Sequence, residues 1–214
     1  MKWLSDTDIS FPSLEEVSED GIIALGGDLS PKRLINAYNN GIFPWYSDNE
    51  PIIWYCPNPR MVLFLDKLKV SKSMNSILKK NIFTISFNQN FEDVIAQCKS
   101  IDRKDGLGTW ITNDMQQAYI ELHKKGIAKS VEVWQNGNLV GGLYGIDLDG
   151  VFCGESMFSK ISNASKFAFI HLVRKLKDEN YKFLDCQVYN PHLESLGAEE
   201  IPRNVFISIL KSQK

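Results

Sequence analysis

The sequence predicts a mixed α/β (α+β) fold in two parts, a small N-terminal α/β domain over residues 1 to 105 and a larger domain over 106 to 214. Three observations predict it. Segments of helical period alternate with short apolar, β-branched runs along most of the chain. In the second half, the turn signals at 136–138 (NGN) and 149–150 (DG) join strand-like runs as antiparallel neighbours. Between the halves, DRKDGLG at 102–108 breaks the pattern with glycine and charge, which sets the boundary there.

The first quarter reads as loops, punctuated by Pro12, Gly21, Gly26, Gly27 and Pro31. Ser30-Pro31 then starts a helix. The serine side chain caps free backbone amides and proline suits the first helical position, so a short helix through Leu34, Ile35 and Tyr38 ends near Gly41. GIFPWYS follows as an irregular aromatic stretch. SKSMNSILKK reads as a helix, FTISF as a strand and FEDVIAQCKS as another helix.

Beyond the boundary, a helix from about Asn113 to Lys125 places Met115, Ala118, Tyr119 and Leu122 on one face and is closed by Gly126. SVEVWQ, NLVGGLYGIDL and VFCGESMF are strands, a long helix begins at Asn163, YKFLDCQV is a buried strand, and PRNVFISILK is a helix. Helix, three antiparallel strands, helix, strand, helix is the order of an acetyltransferase-like (GNAT-like) fold. That order speaks to architecture alone.

Composition bounds the function. With 214 residues, 43% hydrophobic, the chain is long enough for a substantial core. Its formal charge of -2 excludes a molecule that is cationic as a whole, so any RNA contact uses a local patch. Four cysteines form no CxxC pair and three histidines show no ligand spacing, so no metal or dithiol motif is written. No long uncharged apolar run is present, and reduced thiols in the cytoplasm are expected.

Several polar residues sit in apolar company. Asp185 and Gln187, two apart on FLDCQV, are expected to leave one face of the strand together, with Leu184, Cys186 and Val188 on the other. Glu155 in GESMFS lies among Phe152, Met157 and Phe158, where a carboxylate needs either an ion pair, with Lys166 or another lysine, or a cationic substrate. Trp45, Tyr46, Trp54, Tyr55 and Trp110 offer flat faces to a nucleobase. Lys67, Lys69, Lys72, Lys79 and Lys80 give the first half a positive cluster suited to phosphates or to plain solvation. No serine or cysteine stands in a nucleophile motif, so no covalent acyl-enzyme is indicated.

Read in order, ALGGDLSPKRLINAYNNGIFPWYS, PNPRMVL, GTWI, AYIELHKKG, SVEVW, LVGGLYG, GESMFS, NASK, LDCQ, HLESLGA and IPR resemble the leucyl/phenylalanyl-tRNA-protein transferases across essentially the whole chain. The resemblance implies a small N-terminal domain and an acetyltransferase-like C-terminal domain. It implies transfer of leucine, phenylalanine and, less well, methionine from aminoacyl-tRNA to proteins beginning with arginine or lysine, which marks them for N-degron degradation. No cofactor or metal is implied, because the ester on tRNA is already activated.

Carried over residue by residue, the resemblance makes Asp185 and Gln187 the catalytic pair and Glu155 a glutamate of the substrate cleft. Trp45 and Trp110 correspond to aromatic residues near the terminal adenosine, and Leu143, Phe152, Met157 and Phe169 to the pocket for the transferred side chain. Lys72, Lys79 and Lys80 correspond to tRNA contacts, although Asn75 and Ser76 stand where members often carry further basic residues. PNPR also replaces the usual PDPR. In chemical terms, either Asp185 takes a proton from the acceptor amine or it orients Gln187, whose amide is too weak a base to do more than position. Against an acetyl-CoA enzyme, SKISNASK lacks the glycine-rich pyrophosphate loop that class places there.

Overall fold

In the computed structural model, residues 2–5, 7–101 and 110–212 are described. Among these residues are eleven strands and seven α-helices, and the first half holds β1 (Lys2–Leu4), β2 (Ile22–Gly26), α1 (Pro31–Asn39), β3 (Phe43–Pro44), β4 (Ile53–Tyr55), β5 (Arg60–Phe64), α2 (Lys72–Lys79), β6 (Thr84–Phe87) and α3 (Phe91–Ser100). The second half holds α4 (Asn113–Lys124), β7 (Ala128–Gln135), β8 (Asn138–Asp147), β9 (Val151–Ser159), α5 (Ala164–Asp178), β10 (Phe183–Gln187), α6 (Pro191–Ser195), β11 (Glu199–Ile201) and α7 (Arg203–Lys211). The expected helix, three strands, helix, strand, helix order is thus present in a mixed α/β fold, with α6 and β11 added before the last helix.

Local chemistry accounts for the helix ends. Ser30 accepts a hydrogen bond from the Arg33 amide with Pro31 at the first position of α1, and Thr112 caps α4 by accepting from the Met115 amide. Asn163 starts α5 from a left-handed backbone, φ 71°.

The strands form two sheets. A four-stranded sheet runs β1-β2-β4-β3, so the loop-rich reading of the first quarter is corrected: GIFPWYS contributes β3, and Trp54 of β4 is fully buried. These strands are two to five residues long and interrupted by glycine and proline, too short to show a period. A seven-stranded sheet runs β11-β5-β10-β9-β8-β7-β6, antiparallel except for the β9–β10 pair.

The boundary segment at 102–108 lies outside the described residues. The sheets themselves part between Tyr55 and Arg60: β5 and β6, both before residue 106, belong to the larger sheet. Alternate residues of that sheet enter different cores. Met61, Leu63, Phe152 and Leu184 join α5, whereas Val62, Val151 and Phe183 join α1, α3, α4 and α7. All four cysteines are buried. Among the described residues, no helix is long and apolar enough to cross a membrane.

After α6 the chain turns back at Gly197, φ 106°, where an added Cβ would fall 2.1 Å from the Lys67 carbonyl oxygen. Gly197→Ala therefore combines a left-handed backbone with a main-chain clash. It is expected to cost about 2 to 4 kcal/mol, against about 1 kcal/mol for Gly137→Ala, whose left-handed turn opens onto free space. Thermal melting of the two variants side by side checks the difference.

Candidate active site

β9 and β10 run parallel, and a cleft of about 560 Å³ opens beside their C-terminal ends. Leu143 of β8, Met157 of β9, Phe169 and Leu172 of α5, and Leu184 and Cys186 of β10 make its apolar wall. Trp45, Trp110, Tyr189 and His192 also line it, and Glu155 and Gln187 supply polar groups. The cleft has the size and the mixture of apolar surface and few convergent polar groups that small-ligand sites share.

Glu155 reaches the cleft through an irregularity. The β8–β9 register steps from Tyr144 opposite Ser156 to Gly145 opposite Gly154, which leaves Glu155 as the extra residue of a bulge. Its carboxyl is hydrogen-bonded to the Tyr38 hydroxyl at 2.8 Å and the Tyr119 hydroxyl at 3.1 Å, and accepts from the Gln187 amide nitrogen at 2.7 Å. The two tyrosine hydroxyls are also hydrogen-bonded to each other. Burial raises the Glu155 carboxyl from its ordinary range to about 8, against the pull of the tyrosine bonds. Burial and the neighbouring Glu155 charge likewise push both phenols up, well above the usual tyrosine range. The ion pair with Lys166 is not formed, and among the described residues no cation pairs with Glu155.

Asp185 and Gln187 do not share a face. Gln187 has φ 66°, and the β5–β10 register shifts between it and Asp185, which turns its side chain to the cleft and leaves Asp185 behind the strand. Asp185 is fully buried, takes Arg60 Nε at 2.8 Å and Nη2 at 2.6 Å, and accepts from the Gln187 main-chain N–H at 2.9 Å. Arg60 is clamped between the rings of Phe43 and Phe206, 4.8 and 4.6 Å from their centres. Burial alone would lower the guanidinium, but the Asp185 charge and hydrogen bonds hold it above its ordinary value. The pair thus braces a left-handed residue whose backbone costs about 1 to 3 kcal/mol. A fully enclosed, doubly hydrogen-bonded Asp185 has no open path to a proton in the cleft.

The other expected site residues divide. Leu143, Met157 and Phe169 line the cleft, as do Trp45, 42% exposed, and Trp110. Phe152 does not: its ring packs over Gly145, within 2.5 Å of where a Cβ would stand there, and it belongs to the core behind the wall. Lys72 and Lys79 of α2 and Lys80, which follows it, are exposed and outside the cleft lining. Cys186 faces the cleft with its thiol pushed up by burial, so it stays protonated.

Three residues of the site escaped the sequence reading. Tyr38 and Tyr119 were visible only as apolar helix positions, although a tyrosine hydroxyl on a core face demands a partner. Arg60 carried a comparable signal, a lone cation opening the apolar run RMVLF.

Comparison with known proteins adds the following. Residues 62–211 match the family model of the leucyl/phenylalanyl-tRNA protein transferases, and residues 27–58 match the model of their N-terminal domain. A protein of Flavobacterium johnsoniae named leucyl/phenylalanyl-tRNA–protein transferase is 63% identical over 206 residues, 96% of this chain and 97% of its own. Like-named proteins of Flavobacterium psychrophilum and Christiangramia forsetii are 57% and 54% identical, over 95% and 94% of this chain and 97% and 95% of theirs. Among solved structures, a GCN5-related N-acetyltransferase from Kribbella flavida aligns over 76% of this chain and 57% of its own at 12% identity, with a TM-score of 0.41, too slight to bear on the chemistry.

Proposed function

Because the chain belongs to the leucyl/phenylalanyl-tRNA protein transferase family, an enzyme family acting on aminoacyl-tRNA and protein, we propose that it transfers leucine or phenylalanine, and methionine less well, to proteins beginning with arginine or lysine. In the cytoplasm the product would be marked for N-degron degradation. The observation that carries this reading is the meeting, in one cleft, of an apolar wall with a carboxyl–amide pair, Glu155 and Gln187.

In this reading Leu143, Met157 and Phe169 hold the transferred side chain, one unbranched at Cβ. Trp45 and Trp110 stack on the terminal adenosine, and Lys72, Lys79 and Lys80 meet tRNA phosphates. The acceptor amine attacks the ester carbonyl. A C–N bond forms, the bond to the ribose oxygen breaks, and the amine proton travels to that oxygen, with the ribose 2′-hydroxyl as relay. An α-amine titrates near 7.7 to 8.0, so deprotonation is a small demand and positioning is the larger one. Gln187, whose amide nitrogen donates to Glu155, keeps its carbonyl oxygen to receive the amine N–H. Asp185, paired with Arg60, fixes Gln187 and takes no proton.

The test is transfer of labelled leucine from leucyl-tRNA to a peptide beginning with arginine, beside a glutamate-initiated peptide and acetyl-CoA as an alternative donor. Transfer to the arginine peptide alone is expected. Acetylation would discard the reading, and transfer to the glutamate peptide would overturn the acceptor assignment.

A further inference from the structure

The ring of contacts among Glu155, Tyr38 and Tyr119 has a proton count. Three links close it: Tyr38 to Glu155 Oε1, Tyr119 to Glu155 Oε2, and Tyr38 to Tyr119. Each link holds one hydrogen, and two phenols bring only two. Gln187 brings its own to Glu155 and adds none to the ring. The third hydrogen can come only from the carboxyl, so the ring as built is complete with Glu155 neutral.

The surroundings agree from every side. α1 and α4 present only the two phenols, and Tyr144 of β8 stands beyond Tyr119, ring centres 5.6 Å apart. On β9 itself the neighbouring titratable group is Cys153, whose thiol burial keeps protonated. Asp185 on β10 is a nearby carboxylate, and its negative charge is paired with Arg60. Among the described residues no cation pairs with Glu155, and burial holds its carboxyl up to about 8. A cation that arrives with a substrate would supply the counter-charge that the described residues do not.

We propose that Glu155, buried against Tyr38 and Tyr119, is protonated in the empty cleft, that engagement of the acceptor's cationic N-terminal residue expels that proton to solvent, and that the two tyrosines are positioning residues whose phenols support the carboxylate so formed. Acceptor binding is then proton-releasing, and the two phenols turn their hydrogens onto the new carboxylate. The inference rests on the acceptor assignment made above and adds to it how that acceptor is recognised. It also explains selectivity: a neutral or acidic N-terminal residue offers nothing in return for ionising a buried carboxyl.

Titration calorimetry of an arginine-initiated peptide at pH 7, in phosphate and in Tris, counts the protons released; the Kd of the same peptide from pH 6 to 9 reads the linkage. For the parent chain we expect about one proton more than for Glu155→Gln, with Kd falling about tenfold per pH unit below 8 through this group. The peptide's own amine titrates in the same range but identically for every variant. Tyr38→Phe removes a donor to the carboxylate, so the pH at which its affinity levels off moves upward, a shift that a packing role alone would not produce. Equal proton release in parent and Glu155→Gln would overturn the inference, as would an unmoved profile in Tyr38→Phe, while leaving the acceptor assignment intact. Should the peptide fail to bind at every pH while leucyl-tRNA binds, the assignment falls and the inference with it.

Discussion

Asp185→Ala is expected to melt about 10 °C below the parent chain and to transfer amino acid at least about a hundredfold more slowly well below that midpoint. Removing one partner of a buried ion pair strands the other, at a cost of about 3 to 5 kcal/mol, and about 1 kcal/mol moves the midpoint of a chain this size by roughly 2 to 4 °C. Arg60, 1% exposed and wedged between Phe43 and Phe206, has no route by which to carry its charge to water. The double variant Arg60→Met, Asp185→Leu separates the two consequences. Filling the space with apolar atoms should recover most of the melting temperature, whereas transfer stays low because nothing then tethers the Gln187 amide. A double variant that regains transfer would show that Gln187 needs no brace. Calorimetric melting and initial-rate transfer on the same preparations suffice.

Gln187→Ala should lower kcat by about a hundredfold, about 2.7 kcal/mol at 1.36 per tenfold, with the KM for leucyl-tRNA nearly unchanged, because the amide acts on the amine as it attacks. Alanine at φ 66° also strains the backbone, so Gln187→Gly is the matching variant: glycine takes that conformation freely and lacks the amide. Equal losses in the two assign the effect to the side chain. A parental kcat in Gln187→Gly would remove Gln187 from the chemistry altogether.

Much of the fold could be read from local chemistry. The cap at Ser30 and the period of the 113–124 helix depend on near neighbours, as do the hairpins at Gly137 and Gly150. What escaped depends on distant ones. RMVLF has no turn partner and no period to distinguish it, and the strands beside it lie more than a hundred residues further on. At the site, Glu155 and Gln187 stood out as polar residues in apolar segments. The two-residue alternation that paired Gln187 with Asp185 fails because Gln187 adopts a glycine-like backbone that its residue type does not announce. The roles of Tyr38 and Tyr119 were hidden for another reason: on their helices both tyrosines fit an apolar face, and only the tertiary fold brings their hydroxyls to a carboxyl 117 and 36 residues away.

The position of β5 has a consequence for biosynthesis. It is hydrogen-bonded on one side to β10 and on the other to β11, residues 183–187 and 199–201, so both its edges stay open until nearly the whole chain has left the ribosome. For that interval a five-residue run rich in Met, Val, Leu and Phe waits with unpaired amides and carbonyls, and the loops that must close to cover it are long. Arg60 at its head waits with it. The nascent chain therefore has both an apolar strand with open edges and the anchor of its cleft unprotected until the last strands arrive, and a ribosome that stalls before residue 183 leaves a polypeptide with an unfinished sheet and Arg60 without its partner.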